Sequence, residues 1–129
     1  MKKTIVRIIP TMIYACAIFY LSSRTWNDVS TLPPYMDKVI HFGMYMVFGI
    51  LVIFSVRLKS WGSLPPQFII SLIIVSLYGV SDEYHQSFVE GRDASFYDWI
   101  ADAIGGFAGV ALGYQISKIK SLFRRRDAV

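Results

Sequence analysis

Four apolar stretches, separated by short polar segments, dominate the hydrophobic pattern of the chain. They cover about residues 5–22, 39–56, 67–85 and 98–117. Each is close to the about 20 residues that a helix needs to cross a bilayer. Proline or glycine occurs in each of the three joins, where it favours a turn over a continued helix. The pattern therefore predicts an all-α integral membrane protein, a bundle of four transmembrane helices.

The composition agrees with a membrane environment. Of the 129 residues, 54% are hydrophobic and only 17% are charged, whereas soluble domains carry about 25% charge. Such a hydrophobic chain is not expected to be disordered, and one cysteine excludes a disulfide scaffold. Cys16 is expected to be a buried small apolar residue. We expect residues 1–129 to form a single membrane domain.

Lysine and arginine are distributed unequally between the two ends of the predicted bundle. Ten of the thirteen fall before the first helix, between the second and third, or after the fourth; Arg24, Lys38 and Arg92 fall at the other end. Short cytoplasmic loops retain basic residues, so both termini are expected to be cytoplasmic. This topology accounts for the basic tail 118–129, which can also contact anionic lipid headgroups. No nucleic-acid partner is expected.

Several polar residues lie unusually deep at the outer end. His41 and Asp102 are each followed by fifteen residues before the next basic residue, and fourteen residues separate Gln67 from Asp82. Helical runs of this length span only about 21 to 23 Å, against about 30 Å of hydrocarbon. Ionisable side chains at such depth normally face the bundle interior and pair with one another.

The spacing of these polar residues predicts one shared site. They recur every four residues at the start of the second helix, the end of the third and the start of the fourth, which gives each helix one polar face. The three sets are Asp37, His41 and Tyr45, then Asp82 and Gln86, then Asp98 and Asp102. All three helix ends lie at the same level of the predicted bundle, so the sets can meet.

Three glycines on the fourth helix predict its packing surface. Gly105, Gly109 and Gly113 recur every four residues, a pattern of small residues that lets helices approach closely in membranes. They share a helical face with Asp98 and Asp102. The same face is therefore expected to carry both the acids and the close helix contact.

The charges at the predicted site do not balance. Five acids (Asp37, Asp82, Glu83, Asp98 and Asp102) face two basic residues, Lys38 and Arg92. Protonated acids, protonated His41 and His85, or a divalent cation could each make up the difference. Carboxylates with one histidine suit Mg²⁺, Mn²⁺ or Ca²⁺ better than a structural zinc ion. The sequence leaves these three solutions open.

Some of these residues also have simpler explanations. Asp37 and Asp98 suit the first turn of a helix, where acids complement the helix dipole. Tyr45 could belong to an interfacial aromatic belt. Arg92 could neutralise Glu90 or Asp93, or it could hold a phosphate or carboxylate with two parallel hydrogen bonds.

Two segments resemble the VanZ-like family. One is Asp37-Lys38-Val39-Ile40-His41-Phe42-Gly43-Met44-Tyr45, and the other runs from Asp82-Glu83 through Gln86, Phe88, Gly91-Arg92 and Asp98 to Gly105. The family usually has asparagine where this chain has Asp102, so an obligatory negative charge is not expected there. The resemblance implies a small multi-pass protein of the bacterial cytoplasmic membrane. The family is named for a protein that confers low-level resistance to the glycopeptide teicoplanin, and its biochemical activity is not settled.

Three functions remain open. The chain could be a hydrolase or transferase for a lipid-linked envelope substrate, with Glu83 or Asp82 as general base, His41 as proton relay and Arg92 holding an anion. It could instead bind an envelope lipid, cell-wall precursor or glycopeptide through Arg92 and Lys38 without catalysis. A proton or ion path is the weakest hypothesis, because no acid continues the route inward. The sequence predicts no oligomeric state.

Overall fold

The computed structural model describes residues 2–24, 33, 35–56, 65–92 and 94–126. These residues form four helices: α1 (Lys2–Ser22), α2 (Met36–Ser55), α3 (Pro66–Gln86) and α4 (Phe96–Arg126). The predicted all-α fold with four helices is confirmed. The clearest difference from the predicted bounds is α4, which extends as one helix into the basic tail.

The joins contain the residues that start the helices. Pro66 is the first residue of α3 and Pro65 before it is extended, which suits proline because the first turn of a helix needs no N–H partner. Tyr35, directly before α2, has a left-handed backbone with φ of 67°. Asp37 and Asp98 lie in the first turns of α2 and α4, where a negative charge complements the helix dipole.

The predicted glycine face of α4 packs against α2, and this is the most extensive helix contact in the described fold. A Cβ at Gly105 would collide with the carbonyl oxygen of Phe42, and one at Gly109 with that of Met46. Only glycine permits this approach of the two backbones, because any side chain would occupy the space of the opposite carbonyl. The contact brings the first turns of α2 and α4 together.

Around this contact lies a small apolar core, and much of the remaining apolar surface faces outward. The core consists of Ile18, Tyr45, Phe48, Val52, Ile53, Val75 and Val110. Large apolar side chains of α1 and α3 are exposed, for example Val6 and Leu77. Cys16, which we expected to be buried, is exposed on α1, so that expectation was wrong.

Two helices among the described residues are long and apolar enough to cross a membrane, over Ile5–Ser22 in α1 and Met36–Ser55 in α2. Membrane spans at α3 and α4 therefore stay a prediction, as do the cytoplasmic termini. Three groups of residues that entered the sequence argument lie outside the described residues: the basic residues Arg57 and Lys59 between the second and third helices, Asp93, and residues 127–129 of the basic tail.

Candidate active site

The predicted polar residues meet where α2 and α4 begin and α3 ends. His41 lies in the second turn of α2, Glu83 in the last turn of α3 and Asp102 in the second turn of α4. All three are buried, with exposed fractions of 8% for His41, 8% for Glu83 and 1% for Asp102. The fold thus collects ionisable groups from three helices in one buried cluster.

A hydrogen bond between His41 and Asp102 forms the centre of the cluster. Nδ1 of His41 lies 2.9 Å from Oδ1 of Asp102. Oε1 of Glu83 lies 3.9 Å from the same ring nitrogen. A carboxylate that accepts from one ring nitrogen fixes the orientation of the imidazole and leaves the second nitrogen for other chemistry.

Glu83 is held by the backbone at the start of α4. Its Oε2 accepts a hydrogen bond from the Ser95 N–H at 2.8 Å. This contact fixes one carboxylate oxygen on the segment that joins α3 to α4, so the other oxygen is directed by the same geometry toward His41. Sequence reasoning missed Ser95, because a contribution from a backbone N–H leaves no pattern in the side chains.

Several buried polar atoms at this end of the bundle have no hydrogen-bond partner among the described residues. Leaving such an atom unpaired costs about 1 to 3 kcal/mol, so this concentration in one place requires an explanation. The atoms are Tyr45 Oη, Asp82 Oδ1, Glu83 Oε1, Trp99 Nε1 and Asp102 Oδ2. Three of the five are carboxylate oxygens, which accept hydrogen bonds or bind cations.

Asp82 and Tyr45 are buried beside the central cluster. Gln86 donates a hydrogen bond from Nε2 to Asp82 Oδ2 at 3.2 Å, as their four-residue spacing suggested. Tyr45 is fully buried in the core and contacts Phe48 and Tyr78 through its ring. The structure therefore places Tyr45 inside the bundle, in contrast to an interfacial belt.

Lys38 compensates the acids at the edge of the cluster. Its Nζ donates to Asp37 Oδ2 and to Asp98 Oδ1, both at 2.8 Å. Asp98 is buried, whereas Asp37 and Lys38 are half-buried. This bridge ties the first turn of α2 to the first turn of α4, and it occupies the lysine that could otherwise contact an anionic ligand.

Arg92 donates to backbone carbonyl oxygens at and just after the end of α1, and its contacts within the described residues include no carboxylate. Its Nε donates to the carbonyl oxygen of Arg24 and its Nη2 to that of Leu21, both at 3.2 Å. Beside it, Nε2 of His85 lies 2.9 Å from the hydroxyl of Ser23. Arg92 and His85 therefore connect the end of α3 and the turn after it to the end of α1.

Gly79 and Trp99 lie next to Asp102. Gly79 was not among the residues predicted from the sequence. A Cβ at Gly79 would lie 3.3 Å from Cβ of Asp102 and 3.4 Å from Cδ1 of Trp99. The absence of a side chain lets α3 approach α4 at this point. Gly79 lies three residues, or about one helical turn, before Asp82. This position of a small residue on the same face as the acid is the feature of the sequence from which the close contact could have been predicted.

One group of side chains has the composition of a metal centre. His41, Glu83 and Asp102 each offer one ligand atom, and these atoms all lie within 4.8 Å of one another. One imidazole nitrogen and two carboxylate oxygens can bind a divalent cation or can carry out proton transfer.

The comparison with protein families gives a match over residues 3–118, to the family described as VanZ/LLP1. The comparisons with curated proteins and with solved structures give no match. The matched region contains all four helices except the ends of α1 and α4, and every residue of the buried cluster. The chain belongs to the VanZ/LLP1 family.

Proposed function

We propose that this protein is a hydrolase or transferase that acts on a lipid-linked envelope substrate at the outer face of the bacterial cytoplasmic membrane. The observation that carries the proposal is the buried contact of His41 with Asp102, with an unpaired oxygen of Glu83 3.9 Å from the same ring nitrogen. An imidazole oriented by one carboxylate, with a second carboxylate nearby, is suited to general acid–base catalysis.

Each of the three side chains has a distinct role in this proposal. Glu83 is the general base, because Ser95 binds its Oε2 and leaves Oε1 to accept a proton from water. His41, when protonated, donates Nδ1–H to Asp102 and its second N–H to the leaving group. Asp102 is a positioning residue that acts through His41.

Water is the proposed nucleophile. The resulting hydroxide oxygen attacks the phosphorus or acyl carbon, the bond to the leaving group breaks, and the proton of His41 completes the leaving group. His41, Glu83 and Asp102 carry no hydroxyl or thiol that could attack, and the described contact of Ser95 with Glu83 is made by its backbone N–H. In a transferase the acceptor hydroxyl takes the place of the water.

Lys38 and Arg92 already have partners within the protein, which favours an enzyme over a module that only binds an anionic ligand. A binding module for an anionic headgroup requires basic side chains that are available to the ligand. Lys38 already bridges Asp37 and Asp98, and Arg92 donates to two carbonyl oxygens of α1. Three of the five unpaired atoms are carboxylate oxygens, which suit proton transfer better than they suit the binding of an anion.

We further propose four membrane spans with both termini in the cytoplasm. The exposed apolar side chains of α1 and α3 and the two helices of spanning length support this arrangement. The unequal distribution of lysine and arginine supports the orientation. The cluster then lies at the outer leaflet, where membrane lipids and lipid-linked cell-wall precursors are accessible.

Isotope labelling of the product tests the proposed activity on a mixture of lipids, so the substrate does not have to be identified first. The full chain is reconstituted in vesicles of bacterial envelope lipids in water enriched in ¹⁸O, and the lipids are compared by mass spectrometry. We expect a product that carries ¹⁸O with the wild type. Product formation should fall by at least about a hundredfold in Glu83→Gln and in His41→Gln, because each removes one proton-transfer group.

The matched control is Glu90→Gln, which removes a carboxylate from the exposed turn after α3 and leaves the cluster intact. This variant should form product at the wild-type rate. The proposal is wrong if the wild type forms no product from the envelope lipids but retains one of them stoichiometrically, which would identify a binding module. The same activity in Glu83→Gln as in wild type would exclude the assigned base.

A role in glycopeptide susceptibility would follow if the substrate is a cell-wall precursor. Expression of the wild type should then raise the teicoplanin concentration that inhibits growth, and expression of Glu83→Gln should not. Equal susceptibility of the two strains, at equal protein levels, would separate the activity from resistance.

A further inference from the structure

We infer that His41, Glu83 and Asp102 bind a divalent cation, and that the donor set fits Mn²⁺. The inference rests on the proposed function in that it assigns a cofactor to the same cluster. With the ion bound, Nδ1 of His41 would be a ligand and would no longer donate to Asp102, and the ion would supply the positive charge that protonated His41 supplies without it. It adds a ligand that is chemically defined, so it can be tested by binding alone.

The distances between the three donor atoms match those around a single ion. Two ligands about 2.1 Å from a metal lie about 3.0 Å apart at a right angle and about 4.2 Å apart on opposite sides. Nδ1 of His41 is 2.9 Å from Asp102 Oδ1 and 3.9 Å from Glu83 Oε1. The first separation is close to the right-angle value, the second lies between the two values, and all three donor atoms lie within 4.8 Å of one another, so the ion requires little movement of the helices that carry the ligands.

Unpaired carboxylate oxygens give independent support. Glu83 Oε1 and Asp102 Oδ2 are buried without a hydrogen-bond partner among the described residues. Oε1 is directed toward His41, since it is the Glu83 oxygen that lies 3.9 Å from the ring nitrogen. Asp102 is 1% exposed, so bulk water does not reach its second oxygen. A cation held by Asp102 Oδ1 and His41 Nδ1 would satisfy Glu83 Oε1, which the protein leaves unpaired.

The charge of the cluster also favours a cation. Four acids are buried at this end of the bundle, namely Asp82, Glu83, Asp98 and Asp102. Lys38 forms an ion pair with Asp98, and His41 lies within 4 Å of Glu83 and Asp102. The hydrogen bond of Asp82 described above is with the uncharged Gln86. Desolvated like charges repel one another strongly. A divalent cation would reduce the excess negative charge at the point where the ligand oxygens converge.

The mixture of donors selects among the divalent ions. Ca²⁺ takes six to eight oxygen ligands and Mg²⁺ keeps several waters with oxygen donors. Imidazole favours later transition metals, whereas carboxylates favour Mg²⁺, Ca²⁺ and Mn²⁺. Mn²⁺ accepts both donor types, as Zn²⁺ and Fe²⁺ also do. Mn²⁺ is the probe of choice, because its free form has an electron paramagnetic resonance signal that disappears on binding.

The test is a Mn²⁺ titration of the full chain in detergent after removal of metals with EDTA, followed by this resonance signal. We expect one Mn²⁺ for each chain. Affinity should fall by about tenfold or more in His41→Gln and in Glu83→Gln, since each loses one ligand. Glu90→Gln is the control and should bind as the wild type does. Size-exclusion chromatography verifies that each variant is folded.

No Mn²⁺ binding by the wild type, or equal binding by all four proteins, would overturn the inference. The two proposals remain separable. Stoichiometric binding that depends on His41 and Glu83, without any new lipid product, labelled or unlabelled, would support the cation site and contradict the enzyme. Full product formation in excess EDTA would support the enzyme and contradict the cation site. If Asp102→Asn retains binding and Asp102→Leu loses it, the side-chain oxygen at this position is a ligand.

Discussion

Nδ1 of His41 and Oδ1 of Asp102 lie 2.9 Å apart although 61 residues separate them in the sequence. Each residue lies in the second turn of its helix. The close packing of α2 on α4 makes this contact possible, because glycines on α4 let the two backbones approach. The chemistry of the cluster therefore depends directly on glycines that carry no ionisable group themselves.

Replacement of Asp102 by asparagine should be mild. The amide oxygen of asparagine can still accept the hydrogen bond from His41, although the negative charge is lost. We expect Asp102→Asn to retain activity within about threefold and Asp102→Ala to lose about a hundredfold, a typical loss when acid–base catalysis is impaired. The rate of ¹⁸O-labelled product formation checks both. A severe loss in a folded Asp102→Asn protein would make the carboxylate charge essential.

The Ser95 N–H should be necessary for the position of Glu83. Ser95→Pro removes this donor, whereas Ser95→Ala keeps it and removes only the hydroxyl. We expect the proline variant to lose about tenfold in activity, in line with a net loss of about 1.5 kcal/mol for a hydrogen bond to a charged group. The alanine variant should resemble the wild type. Equal activity of the two variants would remove Ser95 from the site.

The glycine contact between α2 and α4 should control stability. Gly105→Ala places a methyl group against the Phe42 carbonyl, and overpacking of this kind costs about 1 to 3 kcal/mol. Gly43→Ala is the control, because its added Cβ meets no atom within 4 Å. Thermal unfolding in detergent should show a lower midpoint for Gly105→Ala and an unchanged or higher midpoint for Gly43→Ala. The opposite order would contradict the packing.

The hydrogen bonds of Arg92 should stabilise the packing of the turn after α3 against the end of α1. Arg92→Ala removes two hydrogen bonds to carbonyl oxygens, whereas Arg24→Ala leaves the Arg24 carbonyl available to Arg92. We expect faster amide hydrogen exchange at residues 87–92 in Arg92→Ala and little change there in Arg24→Ala. If exchange is unchanged and substrate affinity falls instead, Arg92 contacts the substrate.

Accessibility of two introduced cysteines should report the membrane orientation. In a Cys16→Ser background, Glu90→Cys lies at the cluster end and Lys118→Cys at the opposite end, and both positions are exposed. A membrane-impermeant maleimide should label Glu90→Cys in intact cells, and Lys118→Cys only after permeabilisation. The reverse pattern would place the cluster on the cytoplasmic side.

The sequence identified the helices and many of the polar groups for simple physical reasons. The apolar stretches were long enough to specify helices, and a four-residue spacing placed Asp98, Asp102 and the glycines on one face. A charge near hydrocarbon is costly, so His41, Asp82 and Asp102 were recognisable from their depth alone. The length of α4 was underestimated, because a basic segment after an apolar stretch gives no hydrophobic signal for the end of a helix.

The partners within the cluster could not be predicted in the same way. Arg92 and Glu83 illustrate this limit: the guanidinium contacts carbonyl oxygens of α1, and the carboxylate contacts the N–H of Ser95. Backbone atoms are common to every residue, so contacts with them have no sequence signature.

By itself, the sequence determined that four helices form and that their ionisable residues gather at one end, because the periodicity and the cost of burying charge are properties of each helix. Only the tertiary structure decided that His41 pairs with Asp102, that Lys38 and Arg92 are already engaged, and which oxygens are left unpaired. These outcomes depend on the rotation and separation of helices, which are set by contacts such as Gly105 against Phe42 between residues far apart in the chain.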